Sequence, residues 1–392
     1  MKIDIFRDRF IHLLILSPYI YLLLFISINN NGDKHMVIFS IISIIATLVF
    51  SKNRNLKDNI KNPVFISISL MSIYILLKYT FMSASPSMLR VFLSVTLLMM
   101  VFPFHLITEK RIILLSFFSS ILISINTSYY SFYLGHSRNT GLLNAIPYST
   151  ICSVIALIGL FYFLKTWRKI PLITFILSTG CVILSQTRGL WLALLCSVAI
   201  LIFYSIKNNK SWLRIILVIS LTALSLSYLM KDTIQTRIHQ TQIEIEKIES
   251  GDLSSSIGLR VQMWKAAIEI SKVNPWFGVG AEHKQTLSNL VEKGTLQKSI
   301  GEFHPDHYHN QFFENLAKMG IIGLILTILL IITPIIHAIK IRTMESGLII
   351  SLSTLFFIAC LTDVPFWYAE TALVYLLLIT PLCSKNHQLL EK

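Results

Sequence analysis

The chain has 392 residues, 54% of them hydrophobic and 14% charged, and carries a net charge of +14. That is too apolar for a soluble domain of ordinary composition. The basic residues sit between apolar runs, which suits contact with anionic lipid and excludes nucleic acid as the expected partner.

Runs of about 18 or more apolar residues read as membrane spans. The first, "FIHLLILSPYIYLLLFISI" at 10–28, follows basic residues. Its core is too long for a signal peptide and no small-residue cleavage site follows, so it reads as an uncleaved span. Hydropathy predicts eleven more, at 35–50, 63–83, 88–107, 112–134, 146–165, 171–187, 190–206, 212–230, 317–339, 347–364 and 367–384. The expected fold is therefore an all-α polytopic membrane protein of about 12 transmembrane helices. Spans 1–9 fill 1–230, a polar loop domain fills 231–316, and spans 10–12 with a tail fill 317–392.

Lys and Arg accumulate on the cytoplasmic side of short loops. With the N-terminus inside, inner segments hold 19 of the 34 basic residues, while the short outer loops hold only Lys34, Arg138 and Arg188. Both termini are then cytoplasmic and 231–316 lies outside. The five cysteines all fall in or beside apolar segments, so the polar domain does not rely on disulfides.

Within 231–316, "DTIQTRIHQTQIEIEKIESGD" puts Ile234, Ile238, Ile245 and Ile248 on one helical stripe. A second helix follows in "SSSIGLRVQMWKAAIEISKVNPWFGVG", with Trp264, Ala267, Ile268 and Ser271 on one face and Arg260 a turn before Trp264. Asn274-Pro275 ends it, and Gly278 and Gly280 make a turn. Such helices either lie along the membrane surface or pack as a cap on the bundle.

No Asp or Glu lies near the middle of a span, which argues against a proton-driven transporter. Lys78, Arg90, Arg138 and Arg188 instead gather near the outer surface. Singly each reads as a snorkelling or loop charge. Together they outline a cationic pocket for a multiply charged anion, a lipid-linked diphosphate above all, which Arg grips in a planar fork.

"HPDHYHNQFFENLAKMGIIG" at 304–323 places three of the 11 histidines in six residues. A metal site, a general base and a loop histidine capping a helix are all compatible with it. Pro305 prevents a helical ladder of His304, His307 and His309, and Asp306 adds no known zinc spacing. From Asn310 a helix is predicted, with His309, Phe313, Leu316, Gly320 and Gly323 on one stripe and Glu314 in its first turn. The positive end of that helix favours the neutral ring that a general base needs.

His309-Asn310, nine residues, then Gly320 to Gly323 resembles the signature of the bacterial O-antigen ligases of the O-antigen ligase/polymerase superfamily. "TRG" at 187–189, Arg260 before Trp264, "NPWFGVG", twelve spans and one large outer loop are similar to that family as well. The resemblance implies a GT-C-like glycosyltransferase of the bacterial inner membrane, with its site at the periplasmic face. It implies transfer of O-antigen from undecaprenyl diphosphate to a sugar hydroxyl of lipid A–core, with inversion and with neither cofactor nor metal. His309 would be the catalytic base, Arg188 and Arg260 would bind the donor diphosphate with Arg138 as a further contact, and Asp363 would orient the histidine or bind acceptor. A polysaccharide polymerase and a protein-glycosylating transferase share the superfamily, and two sizeable outer loops are usual in polymerases. A lipid-linked oligosaccharide transporter would need no base.

Overall fold

The computed structural model describes residues 2–384 apart from Asn30, 51–55, Ser83, Ser137, 139–140 and most of 209–230. These residues form helices and no strand. In chain order they are α1 (Lys2–Leu24), α2 (Gly32–Phe50), the short α3 (Leu56–Ile60), α4 (Pro63–Phe81), α5 (Pro86–Val101), α6 (Glu109–Ser128), α7 (Ala145–Thr166), α8 (Lys169–Leu184) and α9 (Arg188–Asn208). Four helices follow between the two parts of the bundle: α10 (Lys231–Glu249), α11 (Ser256–Ser271), α12 (His283–Glu292) and α13 (Lys298–Phe303). The chain closes with α14 (Gln311–Ile341), α15 (Met344–Thr362) and α16 (Ala369–Leu382).

Seven described helices are long and apolar enough to cross a membrane: α2, α4, α6 with its extension to Tyr133, α7, α9, α14 and α15. This is fewer than the twelve read from hydropathy. The expected span 212–230 lies for the most part outside the described residues. The apolar helices α5, α8 and α16 have only 16, 16 and 14 residues. At 1.5 Å per residue α16 rises about 21 Å against a hydrocarbon core of about 30 Å. It is short because the chain ahead of it, 363–368, enters the bundle as an irregular turn.

That turn is buried at Asp363, Val364 and Phe366. Non-helical backbone at membrane depth must find its partners within the protein. Gln311, itself fully buried, supplies one, its side-chain oxygen accepting the Phe366 amide at 2.9 Å. The Gln311 amide in turn donates to Asn315 at 2.9 Å, and Asn315 bonds Thr327. α7 and α16 are buried on nearly every face, as expected of helices that are apolar all round. The bundle end away from this turn is tied by Lys165 to Glu109 at 3.3 Å and to Glu345 at 3.2 Å.

The helix expected to run unbroken through "GIIG" is broken. Gly320 takes φ 65° and ψ −170°, outside the helical region. The break is filled by residues 275–279. Ile321 donates to the Pro275 carbonyl at 2.8 Å, Ile322 to Trp276 at 3.3 Å, and Val279 to the Ala317 carbonyl at 2.9 Å. Two side chains of α4 take the freed carbonyls, Tyr74 that of Met319 at 2.5 Å and Lys78 that of Lys318 at 3.2 Å. Gly278 (φ 67°) and Gly320 meet backbone to backbone, and a Cβ on Gly320 would lie 2.3 Å from the Trp276 oxygen. The glycines expected to mark a packing stripe and a turn thus serve one joint.

Residues 256–308 form a cap at this end of the bundle, with its own core of Met263, Ala266, Ala267, Ile270, Leu287, Ile300 and Tyr308, continued by Ala317 of α14. Trp264 stacks on Phe313, centroids 5.6 Å apart, and its indole donates to the Tyr308 carbonyl at 3.1 Å. Ile268, expected on that face, is exposed. α10 differs from the rest. None of its residues is buried, and Ile238 and Ile245 of its isoleucine stripe face outward.

Gly320→Ala should therefore lower stability more than a left-handed glycine elsewhere. An L-residue at φ 65° and ψ −170° costs of order 1–3 kcal/mol, and here the overlap with Trp276 adds to it. Gly294 has φ 70° with nothing within 4 Å of its added Cβ, which makes Gly294→Ala the control. Thermal unfolding of both variants in detergent is the measurement. An equal shift for the two would mean that the joint contributes nothing specific.

Candidate active site

Three chain segments converge beneath the cap: 304–310, 185–189 and 361–368. Asn310 organises the first. Its side-chain oxygen caps α14 by accepting the Phe312 and Phe313 amides at 2.9 and 3.2 Å. Its amide donates to the Leu361 carbonyl at 3.1 Å, which fastens the start of α14 to the end of α15. His309, just before this cap, has φ 49°, an uncommon conformation for a residue with a side chain. It lies beside Asp363, with Nδ1 3.1 Å from the buried Oδ1. A carboxylate accepts, so the contact selects the tautomer with the proton on Nδ1, which leaves Nε2 directed away from Asp363.

Glu314 and Lys318 hold the histidine segment from below. They form a buried ion pair at 2.6 Å. Glu314 accepts the Tyr308 amide at 2.8 Å, and Lys318 donates to the Asp306 carbonyl at 2.8 Å. Lys318 also lies 4.7 Å from the Trp367 ring. Removing one partner of such a pair costs about 3–5 kcal/mol, because the other is left charged and buried. The first-turn Glu314 is thus a brace for the loop rather than a mere helix-dipole charge.

His307 stands edge-on to His309, ring centroids 4.1 Å apart, with Nε2 3.1 Å from the Tyr368 hydroxyl. Burial, and then the neighbouring His309, push its pKa down to about 4. His307, His309 and Asp363 bring one possible ligand atom each within 4.8 Å of one another. These three are the residues that could hold a metal among the described ones. His304 is exposed and Asp306 is paired with Lys284.

The second segment places the arginines. Thr187 donates to Ser149 at 2.8 Å and anchors the start of α9 on α7. Gly189 packs so closely on α15 that a Cβ would lie 2.6 Å from the Thr362 hydroxyl, next to Asp363. A cavity of about 760 Å³ opens above, with Arg138, Asn144, Arg260, Phe303 and His309 on its walls. Arg138 is exposed at this cavity and Arg260 half-buried. Burial and then repulsion by Arg188 lower the Arg138 pKa. Arg260 is lowered by burial, opposed by Asp363, and pushed further by Arg138 and Arg188. The guanidiniums thus feel one another across a common space, which an anion would stabilise.

The structure brings His309, Arg138 and Arg260 together at this cavity, with Asp363 buried behind His309. Arg188 lies within their field, but its guanidinium is turned to α10, reaching Thr241 at 2.8 Å and Glu244 at 2.7 Å. The wider cationic pocket does not form. Lys78 is buried on the carbonyls of Phe277, Gly278 and Lys318, and Arg90 pairs with Asp33 at 2.6 Å. Both do structural work, because a charge at membrane depth takes whatever partner packing offers. Arg237 escaped sequence reasoning. It donates to Gln186 at 2.8 and 3.1 Å, and its pKa is lowered by burial and then by Arg138 and Arg188. The signal was present in the spacing of Arg237, Thr241 and Glu244, which share a helical face next to the isoleucine stripe.

A family model described as O-antigen ligase matches residues 173–328, which contain Arg188, Arg260 and His309. An uncharacterised protein of Haemophilus influenzae is 30% identical over 273 residues, 65% of this chain and 66% of its own length. A protein named O-antigen ligase from Escherichia coli K12 is 25% identical over 260 residues, 64% of this chain and 60% of its length. The exopolysaccharide production protein ExoQ of Rhizobium meliloti is 28% identical over 117 residues, covering 28% and 27%. The matches thus span less than two thirds of the first two relatives.

Acid should loosen the cap. Burial, and then Lys318 and Lys284, push His283 down to about 3, and His307 falls to about 4. Unfolded histidine titrates near about 6.5. Below that pH the unfolded chain binds more protons, so stability is full above about 6.5 and is lost as pH falls toward the folded values. Thermal unfolding in detergent at pH 7.5 and pH 5 tests this. The drop should shrink in His283→Asn, and a drop of the same size would sink the assignment.

Proposed function

We propose that this chain, similar to the O-antigen ligase superfamily, is the ligase within it, moving O-antigen polysaccharide from undecaprenyl diphosphate to a sugar hydroxyl of lipid A–core. The reading includes a twelve-span, GT-C-like bundle of the bacterial inner membrane with the cap on the periplasmic side, as the bias of basic residues suggests. One observation carries it. A histidine held by a buried carboxylate stands on the wall of a cavity that also carries two arginines.

The chemistry follows from that pairing. His309 Nε2 takes the proton of the acceptor hydroxyl, and Asp363 orients the ring and stabilises the imidazolium. The acceptor oxygen attacks the anomeric carbon from the face opposite the diphosphate. The carbon–oxygen bond to phosphorus breaks, its electron pair stays on the diphosphate, and configuration inverts. Arg260, Arg138 and Arg188 stabilise the growing negative charge. The leaving group is already activated, so no nucleotide or metal is required. The single cap favours ligase over a polymerase, the reading that likeness to ExoQ keeps in play. Lipopolysaccharide from a deletion strain separates them: a ligase defect removes all capped molecules, whereas a polymerase defect leaves one repeat unit on the core.

Three alanine variants, each checked for monodispersity, test the roles. His309→Ala should bind undecaprenyl-diphosphate glycan normally and transfer it about 10²–10⁴-fold more slowly. Arg260→Ala and Arg188→Ala should lose both donor affinity and single-turnover rate, with Lys restoring only part because it lacks the planar fork. Normal transfer by His309→Ala would refute the base assignment.

Chelator treatment of the purified protein should leave transfer intact. A loss that zinc restores would instead make His307, His309 and Asp363 a metal centre.

A further inference from the structure

α10 lies over the candidate site without being built into the fold. It has no buried residue, and Ile238 and Ile245 of its apolar stripe point outward. Polar contacts dock it. Arg237 reaches back to Gln186, and Thr241 and Glu244 take the two terminal nitrogens of Arg188. These three residues follow at i, i+4 and i+7, so one helical face meets the segment before α9. Gln186, the residue it grips, has φ 56°.

The Glu244 contact has the geometry of a guest. Oε1 lies 2.7 Å from the Arg188 guanidinium, while Oε2 is buried with no hydrogen-bond partner. Asp363 Oδ2 is unpartnered as well, but Asp363 is fully buried at the end of α15, whereas Glu244 sits on a helix with no buried residue. The other guanidiniums in the same field, Arg138 and Arg260, line the cavity and feel Glu244 only through space. An oxyanion with more acceptor oxygens, held by several guanidiniums at once, would satisfy the group better than Glu244 does.

We propose that Glu244 is a resident surrogate for a donor phosphate. It keeps the Arg188 guanidinium in position before the donor arrives. A phosphate oxygen then takes over that fork, and α10 is released from the bundle end. The inference rests on the donor-site reading given above. It makes Glu244 a positioning residue that competes with the ligand it prepares for. Removing it should tighten donor binding, the reverse of what loss of a structural ion pair or a substrate contact would do. The pair is partly solvent-accessible, so the gain is that of a half-exposed ion pair, roughly two- to fivefold.

The test uses the full chain in nanodiscs with undecaprenyl diphosphate, free of glycan, as probe. Equilibrium binding is measured for the wild type, Glu244→Gln, Glu244→Asp and Arg188→Ala. Spin labels at Gln242 on α10 and Asn289 on α12 report the position of α10. Glu244→Gln should bind more tightly and show the broadened distance distribution without lipid that the wild type shows only with it. Glu244→Asp, too short to hold the same contact, should move in the same direction and guards against misfolding of the first variant. At saturating donor, the single-turnover rate of Glu244→Gln should not exceed the wild-type rate, so the effect is confined to binding. Weaker or unchanged binding by both Glu244 variants, with Arg188→Ala still impaired, overturns the inference and leaves the donor site standing. Unchanged binding by Arg188→Ala overturns the donor site, and the inference with it.

Discussion

The break in α14 is the constraint on which the site depends. A helix entering a membrane keeps its backbone bonds internal, and interrupting it leaves amides and carbonyls that hydrocarbon cannot satisfy. At Gly320 the interruption is filled by 275–279, and the freed groups of both strands of chain answer each other. Cap and bundle therefore meet through backbone hydrogen bonds, whose geometry tolerates little slippage, rather than through side-chain packing alone. Trp264 then reaches Tyr308 and Phe313, and Arg260, one turn before it, comes to the wall that carries His309.

A second layer of constraint is electrostatic. The ionisable groups around the site are buried in pairs, and each pair also performs a geometric task. Glu314 and Lys318 neutralise one another and clasp 306–308 between them. Asp363 is buried at the end of α15 and faces His309, which is held in a left-handed conformation. Such a backbone is retained where surrounding structure overdetermines it, and here the Asn310 cap, the Leu361 carbonyl and the Asp363 contact do so. Arg138 and Arg260 are the exception. They share a cavity wall with no carboxylate among the residues that line it, and Asp363 and Glu244 act on them only from outside that wall.

Much of the site region was legible for local reasons. Pro305 forbids a helical histidine ladder, and 304–310 is irregular. Asn310 is a strong capping residue, and α14 begins immediately after it. His309, Arg138, Arg260 and Asp363 were named as separate positions in the chain, and they meet. Lys78 and Arg90 are basic residues like the others, yet they serve the joint and α2. Nothing local to those residues distinguishes a structural cation from one that lines a cavity, because the difference lies in which carbonyl or carboxylate arrives from another helix.

By itself the sequence determined the helical class, a polar stretch ahead of α14, the loop that carries the histidines and the residue that caps the helix after it. These are properties of hydropathy, backbone φ and short-range hydrogen bonds, and they act within a few residues. Tertiary structure alone decided that Gly320 is a break and not a packing position, that Gln311 supports the turn carrying Asp363, and that Glu244 holds Arg188. Each is a contact between residues about 42 to 56 positions apart, and its energy exists only once both have been desolvated in the same place.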